Sequence, residues 1–109
     1  MKKIEAIVRP ELFDEVRMHL SVHGFVCMHI TDVKGRGRQG GIRRQWRGRQ
    51  YMVEMISKIK ICMVIPDSRV QEAIDAIVES AYTGETGDGK IFVSPVEKMI
   101  TVRTGVVEQ

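Results

Sequence analysis

The feature that most constrains the fold is a strand–helix–strand pattern that occurs twice, once on each side of a long arginine-rich segment. Alternating apolar residues predict the strands. The predicted strands are a first strand carrying Ile4, Ala6 and Val8, then residues 25–33, 58–65 and 91–96. Pro95 marks the last of them as an edge or bulged strand, because proline cannot donate to a strand ladder.

A first helix is predicted between the first two strands. Pro10 suits its first turn, and Gly24 stops it. Leu12, Val16 and Leu20 are spaced by four residues, so they fall on one face that we expect to pack against the sheet.

A second helix is predicted after residues 58–65. Ser68 and Gln71 stand in capping-box spacing at its start. Its apolar stripe, expected to face the core, consists of Val70, Ile74, Ile77, Val78 and Ala81.

Two strand–helix–strand units in this order are typical of the ferredoxin-like α+β sandwich. With 109 residues, 43% of them apolar, the chain is predicted to form a single domain over residues 1–109. Helices on one face of the sheet would leave the other face bare. We therefore expect an oligomer that buries the bare face.

The arginine-rich segment, residues 34–54, lacks the pattern of a packed element. It contains six arginines and five glycines together with Trp46 and Tyr51, and it is longer than the usual connection of about 4–6 residues. Without these six arginines the formal net charge changes from +3 to −3, so the positive field belongs to the segment. We interpret it as an effector loop; a flexible basic insertion is the alternative.

Residues 83–90, TGETGDGK, combine closely spaced glycines with a lysine. Backbone N–H groups of such a turn can face an anion, and Lys90 adds a positive charge, which is typical of a phosphate cradle. The segment is not a P-loop, because Ile91 stands where Ser or Thr is required. A glycine-rich turn between a helix and a strand is the alternative.

Arg36, Arg38 and Gln39 lie in the stem of the long loop, where they are expected to face Lys58. Cations and an amide at such a neck can hold a carboxylate or a phosphate, although a solvated charged rim is more common.

The cysteines and histidines give no strong metal signal. Cys27 and Cys62 lack CxxC spacing, so we expect both to be reduced and buried. His19 and His23 are one helical turn apart, but no third ligand accompanies them, and we expect exposed side chains near a helix end.

Several motifs stand in the order found in one protein family: MKKIEAIVRP, VKGRGRQ, WRGRQY, KIKI, TGETGDGKIFV and VRTG. Over nearly its whole length the chain resembles the P-II nitrogen-regulatory signalling proteins, and its basic loop resembles the archaeal branch associated with nitrogenase. The resemblance implies a ferredoxin-like homotrimer whose bare sheets pack inward. It also implies a T-loop at residues 34–54, a B-loop at 83–90 and a C-loop at 99–105.

In that family ATP or ADP lies between subunits, and 2-oxoglutarate joins through a Mg²⁺ held by ATP. By position, the resemblance assigns the nucleotide to His29, Gly37, Arg38, Val64, Gly87, Asp88, Gly89, Lys90 and Arg103. It assigns 2-oxoglutarate to Gln39, Gly40, Gly41, Lys58 and Gly87, with Gln39 also at Mg²⁺. Tyr51 takes the uridylylation position, and the expected partner contacts are Arg43, Arg44, Trp46, Arg47 and Arg49.

Three residues depart from the family pattern at the nucleotide site. His29 stands where threonine is usual, Cys62 stands where an acid is frequent, and Thr101 stands where an arginine accompanies Arg103. These changes bear on affinity and on the preference between ATP and ADP.

We predict a non-catalytic, cytoplasmic sensor that controls a protein target. The sequence has no paired carboxylates, no nucleophile with a base, and no asparagine of the kind that an acylphosphatase of this fold uses. No apolar run approaches the roughly 18 residues of a membrane span, so no membrane insertion is expected. Nitrogenase, glutamine synthetase and an ammonium transporter are all compatible targets.

The alternative is an RNA-binding module that uses the basic loop with Trp46 and Tyr51. The RNA-recognition motif shares this topology, but it stacks bases on aromatic residues of its central strands. Residues 4–10 and 58–65 contain no aromatic residue. We therefore do not expect a nucleic-acid partner.

Overall fold

The computed structural model describes residues 1–35, 43–46, 49–52 and 55–108, and in residues 43–46 and 49–52 it describes the backbone alone. The elements are β1 (Lys2–Val8), α1 (Phe13–Val22), β2 (His29–Gly35), β3 (Arg43–Trp46), β4 (Arg49–Met52), β5 (Ile56–Ile65), α2 (Val70–Ala81), β6 (Lys90–Pro95), β7 (Met99–Thr101) and β8 (Val106–Glu108). Short 3-10 turns at Pro10–Leu12 and Asp67–Arg69 lead into the two helices.

Four strands form one antiparallel sheet in the order β2, β5, β1, β6. In the register, Ala6 of β1 lies between Ile61 of β5 and Ile91 of β6. This arrangement, with helices α1 and α2 in contact on the sheet, confirms the ferredoxin-like α+β prediction. Pro95 ends β6, which is an edge strand as predicted.

The core lies between the helices and one face of the sheet. Along β1 the side chains of Ile4, Ala6 and Val8 are buried, whereas those between them are half-buried on the opposite face. Val16 and Leu20 of α1 pack against this apolar row, as their spacing predicts. Burial of such side chains supplies most of the free energy that favours the fold.

The open face of the sheet, which is the face away from the helices, carries alternate residues of each strand. It is defined here by His29, Thr31 and Val33 of β2, Lys58, Lys60, Cys62 and Val64 of β5, Lys3, Glu5 and Ile7 of β1, and Lys90, Phe92 and Ser94 of β6. On this face the Glu5 carboxylate pairs with two ammonium groups: its Oε1 lies 3.3 Å from Lys3 Nζ, and its Oε2 lies 3.8 Å from Lys60 Nζ.

The prediction of a strand over residues 25–33 is wrong at both ends, since β2 begins at His29 and ends at Gly35. The residues before it complete the end of α1. Gly24 has a φ of 86°, its N–H donates to the Ser21 carbonyl at 2.9 Å, and the Phe25 N–H donates to the Leu20 carbonyl at 2.8 Å. These two bonds form a Schellman motif, so Phe25 serves the helix end and the core instead of a strand ladder.

The predicted start of the second helix is also wrong in detail. Ser68 lies in the 3-10 turn and makes no capping bond, and α2 begins at Val70. Gln71 donates instead to Asp75 at 2.9 Å, which is the next turn of the helix. The capping-box spacing was therefore coincidental.

The core-facing stripe of α2 is rotated from the predicted one. Its buried residues are Ala73, Ala76, Ile77 and Ala81. Val70 and Ile74 are half-buried, and Val78 is 50% exposed. The small alanine side chains let α2 lie close to the sheet. The predicted stripe was based mainly on large apolar residues, so it left out Ala73 and Ala76.

The long loop contains a hairpin that was not predicted. Strands β3 and β4 pair antiparallel, with Arg43 opposite Met52 and Trp46 opposite Arg49, and they form a sheet separate from the main one. The predicted C-loop region is likewise a hairpin, in which β7 and β8 pair with each other. No described helix is long and apolar enough to cross a membrane.

The two cysteines are free, as expected, but their predicted burial is wrong. Cys27 is exposed, because it lies between α1 and β2 and not within a strand, and Cys62 is half-buried on the open face.

Candidate anion-binding site

The B-loop, residues 83–90, connects α2 to β6 and ends on the sheet beside the end of β1. Gly87 and Gly89 have φ values of 103° and 113°, which residues other than glycine rarely adopt. The segment thus has the backbone of a tight turn, which is the local geometry that the phosphate-cradle hypothesis requires.

Gly89 is required by its contact with β1. A Cβ added to this residue would lie 1.7 Å from the Ile7 carbonyl oxygen, which is backbone and cannot move aside without shifting the strand. The first reason for a glycine here is therefore internal packing, before any ligand is considered.

Asp88 organises the B-loop through its carboxylate. Its Oδ2 accepts from the Thr83 N–H at 2.8 Å and from the Gly84 N–H at 3.0 Å, and its Oδ1 accepts from the Thr83 hydroxyl. These bonds, first the hydroxyl and then the backbone N–H of Thr83, hold the pKa of Asp88 well below its ordinary value. The carboxylate stays ionised at neutral pH and is used within the loop.

Two cations from neighbouring strands contact the B-loop. Arg9, directly after β1, donates from Nε to Asp88 Oδ1 at 3.3 Å and from Nη2 to the Thr86 carbonyl at 2.9 Å. Lys58 of β5 donates from Nζ to the Gly87 carbonyl. Burial lowers the pKa of Lys58 from its ordinary value, and the nearby charge of Arg9 lowers it further.

Further positive charge lies on the open face beside the loop. Ile7 is flanked in the strand register by Lys60 on one side and Lys90 on the other. Lys90 is exposed and makes no hydrogen bond or ion pair among the described residues. This edge of the sheet therefore offers an exposed ammonium group, without a partner among the described residues, next to a glycine-rich turn, an arrangement suited to an anion.

The structure brings some of the residues predicted for the nucleotide site together and leaves others apart. Gly87, Asp88, Gly89 and Lys90 share the B-loop, and Lys58 contacts it directly.

The other described residues predicted for the nucleotide site occupy the open face and the C-loop hairpin. His29 is exposed and lies directly opposite Cys62, and Val64 is half-buried two residues further along β5. Arg103 is exposed in the turn of the β7–β8 hairpin. Thr101, beside it, donates to Glu108 at 2.5 Å within that hairpin.

Several residues predicted to bind ligands or a partner belong to parts of the long loop that the structure does not describe, or describes as backbone alone. Arg36, Gly37, Arg38, Gln39, Gly40, Gly41 and Arg47 lie outside the described residues. For Arg43, Arg44, Trp46, Arg49 and Tyr51 the backbone alone is described.

The expectation of exposed side chains holds for only one of the two histidines. His23 is exposed and its Nδ1 lies 3.0 Å from Glu72 Oε2, while His19 is half-buried. No group of three or more His, Cys, Asp or Glu residues in the described part of the chain is arranged to hold a metal ion.

Sequence reasoning missed Arg9 as a residue of this site. One signal was available: Val8 pairs with Ile59 if the two strands are antiparallel, which places Arg9 next to Lys58. Thr83 and Thr86 were inside the recognised motif, but their roles depend on contacts that the motif does not specify.

Comparison with known proteins gives the family. The family model described as "Nitrogen regulatory protein P-II" matches residues 1–106. The chain belongs to the P-II family. Proteins named Nitrogen regulatory protein P-II from Nostoc punctiforme and Haemophilus influenzae are 49% and 50% identical to it over 105 residues, covering 96% of this chain and 94% of each relative. The one from Microchaete diplosiphon is 48% identical over the same length.

Membership in the P-II family settles the broad class. The family and these relatives are named as regulatory proteins and not as enzymes, which confirms the prediction of a non-catalytic protein. It also confirms the resemblance to the P-II nitrogen-regulatory family that the motifs indicated.

Proposed function

We propose that the protein senses adenine nucleotide, as ATP or ADP, together with 2-oxoglutarate, and controls a target protein through its T-loop. The observation that carries the proposal is the B-loop: a glycine-rich turn held rigidly by Asp88, with the exposed ammonium group of Lys90 beside it. Backbone N–H groups and an unpaired cation are the usual means of binding phosphate.

The arrangement of Lys58 supports the 2-oxoglutarate part of the proposal. This residue and Gly87 were assigned to the same ligand from sequence, and in the structure the Lys58 ammonium group donates to the Gly87 carbonyl. A dicarboxylate arriving at this point would meet a cation already placed at the B-loop. Mg²⁺ would be held by Gln39 together with the nucleotide and 2-oxoglutarate, and it would link the two ligands by its charge.

The proposal includes a homotrimer in the cytoplasm, in which the open faces pack inward and the nucleotide lies between subunits with Arg103 at its phosphates. The target would be a protein of nitrogen metabolism: nitrogenase, glutamine synthetase or an ammonium transporter. The arginine-rich T-loop suits a partner with an acidic surface, because it carries the positive field of an otherwise acidic chain.

Calorimetric titration with ATP, ADP and AMP, each with and without Mg²⁺ and 2-oxoglutarate, tests the sensor function. We expect ATP and ADP to bind, and 2-oxoglutarate to bind only when Mg²⁺ and ATP are present. Lys90→Met should weaken nucleotide binding by about tenfold, since it removes a charge-assisted contact. Lys58→Met should abolish 2-oxoglutarate binding and change nucleotide affinity much less.

Lys98→Met is the matched control, because Lys98 is an exposed lysine outside the B-loop. Wild-type protein that binds neither nucleotide would refute the proposal. Equal loss in Lys90→Met and Lys98→Met would show that only net charge matters.

A further inference from the structure

The B-loop contains a turn whose central residues are Thr86 and Gly87. The positive φ of Gly87, 103°, fits the second central position of a type II turn. A type I turn over the same residues would require a flip of the peptide group between Thr86 and Gly87. Glycine populates both conformations readily, so Gly87 does not by itself decide between them.

Arg9 holds this peptide group from outside the turn. Its Nη2 donates to the Thr86 carbonyl at 2.9 Å while its Nε donates to Asp88 Oδ1 at 3.3 Å. The guanidinium group is planar and presents its donors in a fixed fork, so the two acceptors are fixed relative to each other. The side chains of Arg9 and Asp88 are only 24% and 25% exposed, which limits competition from water.

The orientation of the Thr86 carbonyl determines where the next N–H points. A trans peptide group is planar, with its carbonyl and N–H on opposite sides. Because Arg9 binds the Thr86 oxygen, the Gly87 N–H is directed away from Arg9. Among the described residues no acceptor takes that N–H, whereas those of Thr83, Gly84 and Glu85 are all bonded within the loop.

We propose that Arg9 is a positioning residue of the phosphate cradle, which keeps the Thr86–Gly87 peptide in the type II orientation and the Gly87 N–H available to a phosphate oxygen. Lys58 binds the Gly87 carbonyl, which belongs to the following peptide group. The proposal rests on the proposed nucleotide function of the B-loop and adds a residue that acts through the backbone.

Arg9→Lys and Arg9→Met separate this role from a simple contribution of charge. Lysine keeps the charge but lacks the fork that bonds Thr86 and Asp88 together. The matched control is Arg17→Met on α1. Among the described residues, Arg17 makes one long ion pair, in which its Nη2 lies 3.7 Å from Asp14 Oδ1. Each variant is titrated with ADP alone and with adenosine, and the Gly87 amide resonance is followed in the ligand-free protein.

We expect both Arg9 variants to bind ADP about fivefold to tenfold more weakly, as for the loss of one well-placed hydrogen bond. Adenosine binding should be unchanged, because it has no phosphate for the Gly87 N–H to bind, and general damage to the fold would weaken both ligands. The Gly87 resonance should shift in both Arg9 variants and not in Arg17→Met.

Three results would overturn the positioning role: wild-type ADP affinity in Arg9→Lys, equal weakening of ADP and adenosine, or an unshifted Gly87 resonance. Wild-type protein that binds no ADP at all would instead overturn the proposed function, and the positioning role with it. The two failures are therefore distinguishable.

Discussion

Asp88 has a role that its position in a segment proposed to bind phosphate does not suggest. An ionised carboxylate repels phosphate, and the low pKa of Asp88 keeps it ionised. The structure uses this charge within the loop, where it bonds two N–H groups and a hydroxyl of residues Thr83 and Gly84. The anionic residue thus shapes the loop, and in the proposed phosphate cradle the Gly87 N–H and Lys90 would contact the ligand.

The glycine-rich turn of the B-loop was predictable from the sequence, but the contacts that support this turn were not. Closely spaced glycines followed by Lys90 predict a tight turn with a positive charge at its end, and this prediction needs only the local spacing. The bond from Arg9 to Asp88 joins residues 79 positions apart, and no local pattern contains it. The same holds for the contact of Gly89 with Ile7, which depends on how β1 and β6 pair.

Gly89→Ala tests that contact. The added Cβ would fall 1.7 Å from the Ile7 carbonyl, and φ of 113° is itself unfavourable for alanine. We expect the free energy of unfolding to fall by about 2–4 kcal/mol, as for other substitutions that strain a special backbone position. Urea denaturation followed by circular dichroism measures the change.

Gly35→Ala is the matched control for Gly89→Ala. Among the described residues, a Cβ at Gly35 would meet nothing within 4 Å, and this residue does not have a positive φ. We expect the free energy of unfolding to change by less than about 0.5 kcal/mol. Similar losses in both variants would contradict the steric explanation.

At the scale of elements, tertiary contacts overrode local propensity in two places. Residues 25–28 read as the start of a strand, but the Schellman motif and the burial of Phe25 commit them to the end of α1.

The junction of the two helices shows the same principle. Arg69 stacks over the Phe25 ring at 4.1 Å, donates to the His23 carbonyl at 2.5 Å and pairs with Glu72 at 2.9 Å. One cation from the start of α2 thereby satisfies the end of α1. Arg69 lies 46 positions after His23, so no local pattern at the end of α1 predicts this contact.

The long loop is an element that can be removed without touching the main sheet. Strands β3 and β4 pair only with each other in the described sheets. We expect that replacing residues 42–50 with a short Gly/Ser linker leaves the melting temperature, the oligomer and ADP binding unchanged. Binding to the protein target should be lost, because the replaced segment carries four of the loop's six arginines together with Trp46.

A binding assay with purified nitrogenase, glutamine synthetase and ammonium transporter compares the intact and loop-replaced proteins. Added Mg²⁺, ATP and 2-oxoglutarate should weaken binding of the intact protein in the same way as the replacement. The control variant is Arg17→Ala, which removes a positive charge from the body of the protein. A target bound equally by intact and loop-replaced protein would place the contact surface on the body.

At the scale of the whole molecule, the unexplained feature is the open face. It combines the charged group of Glu5, Lys3 and Lys60 with Phe92, which lies opposite Glu5 on the edge strand β6. Phe92 is 54% exposed in the single chain. The sequence predicted such a face from the one-sided cover of the sheet, but the atoms of a single chain do not specify the symmetry of what covers it.

Phe92→Asp tests whether copies of the chain cover this face. If the proposed homotrimer forms there, an additional carboxylate from each of three subunits would be buried close to Glu5, and unpaired buried charges are strongly unfavourable. We expect sedimentation equilibrium to give a mass near three times 12.4 kDa for the wild type and a single-chain mass for the variant. Val22→Asp is the control, since Val22 is an 84% exposed apolar residue on α1, away from the open face. It should remain trimeric. Dissociation of both variants, or of neither, would exclude the open face as the surface that joins the subunits.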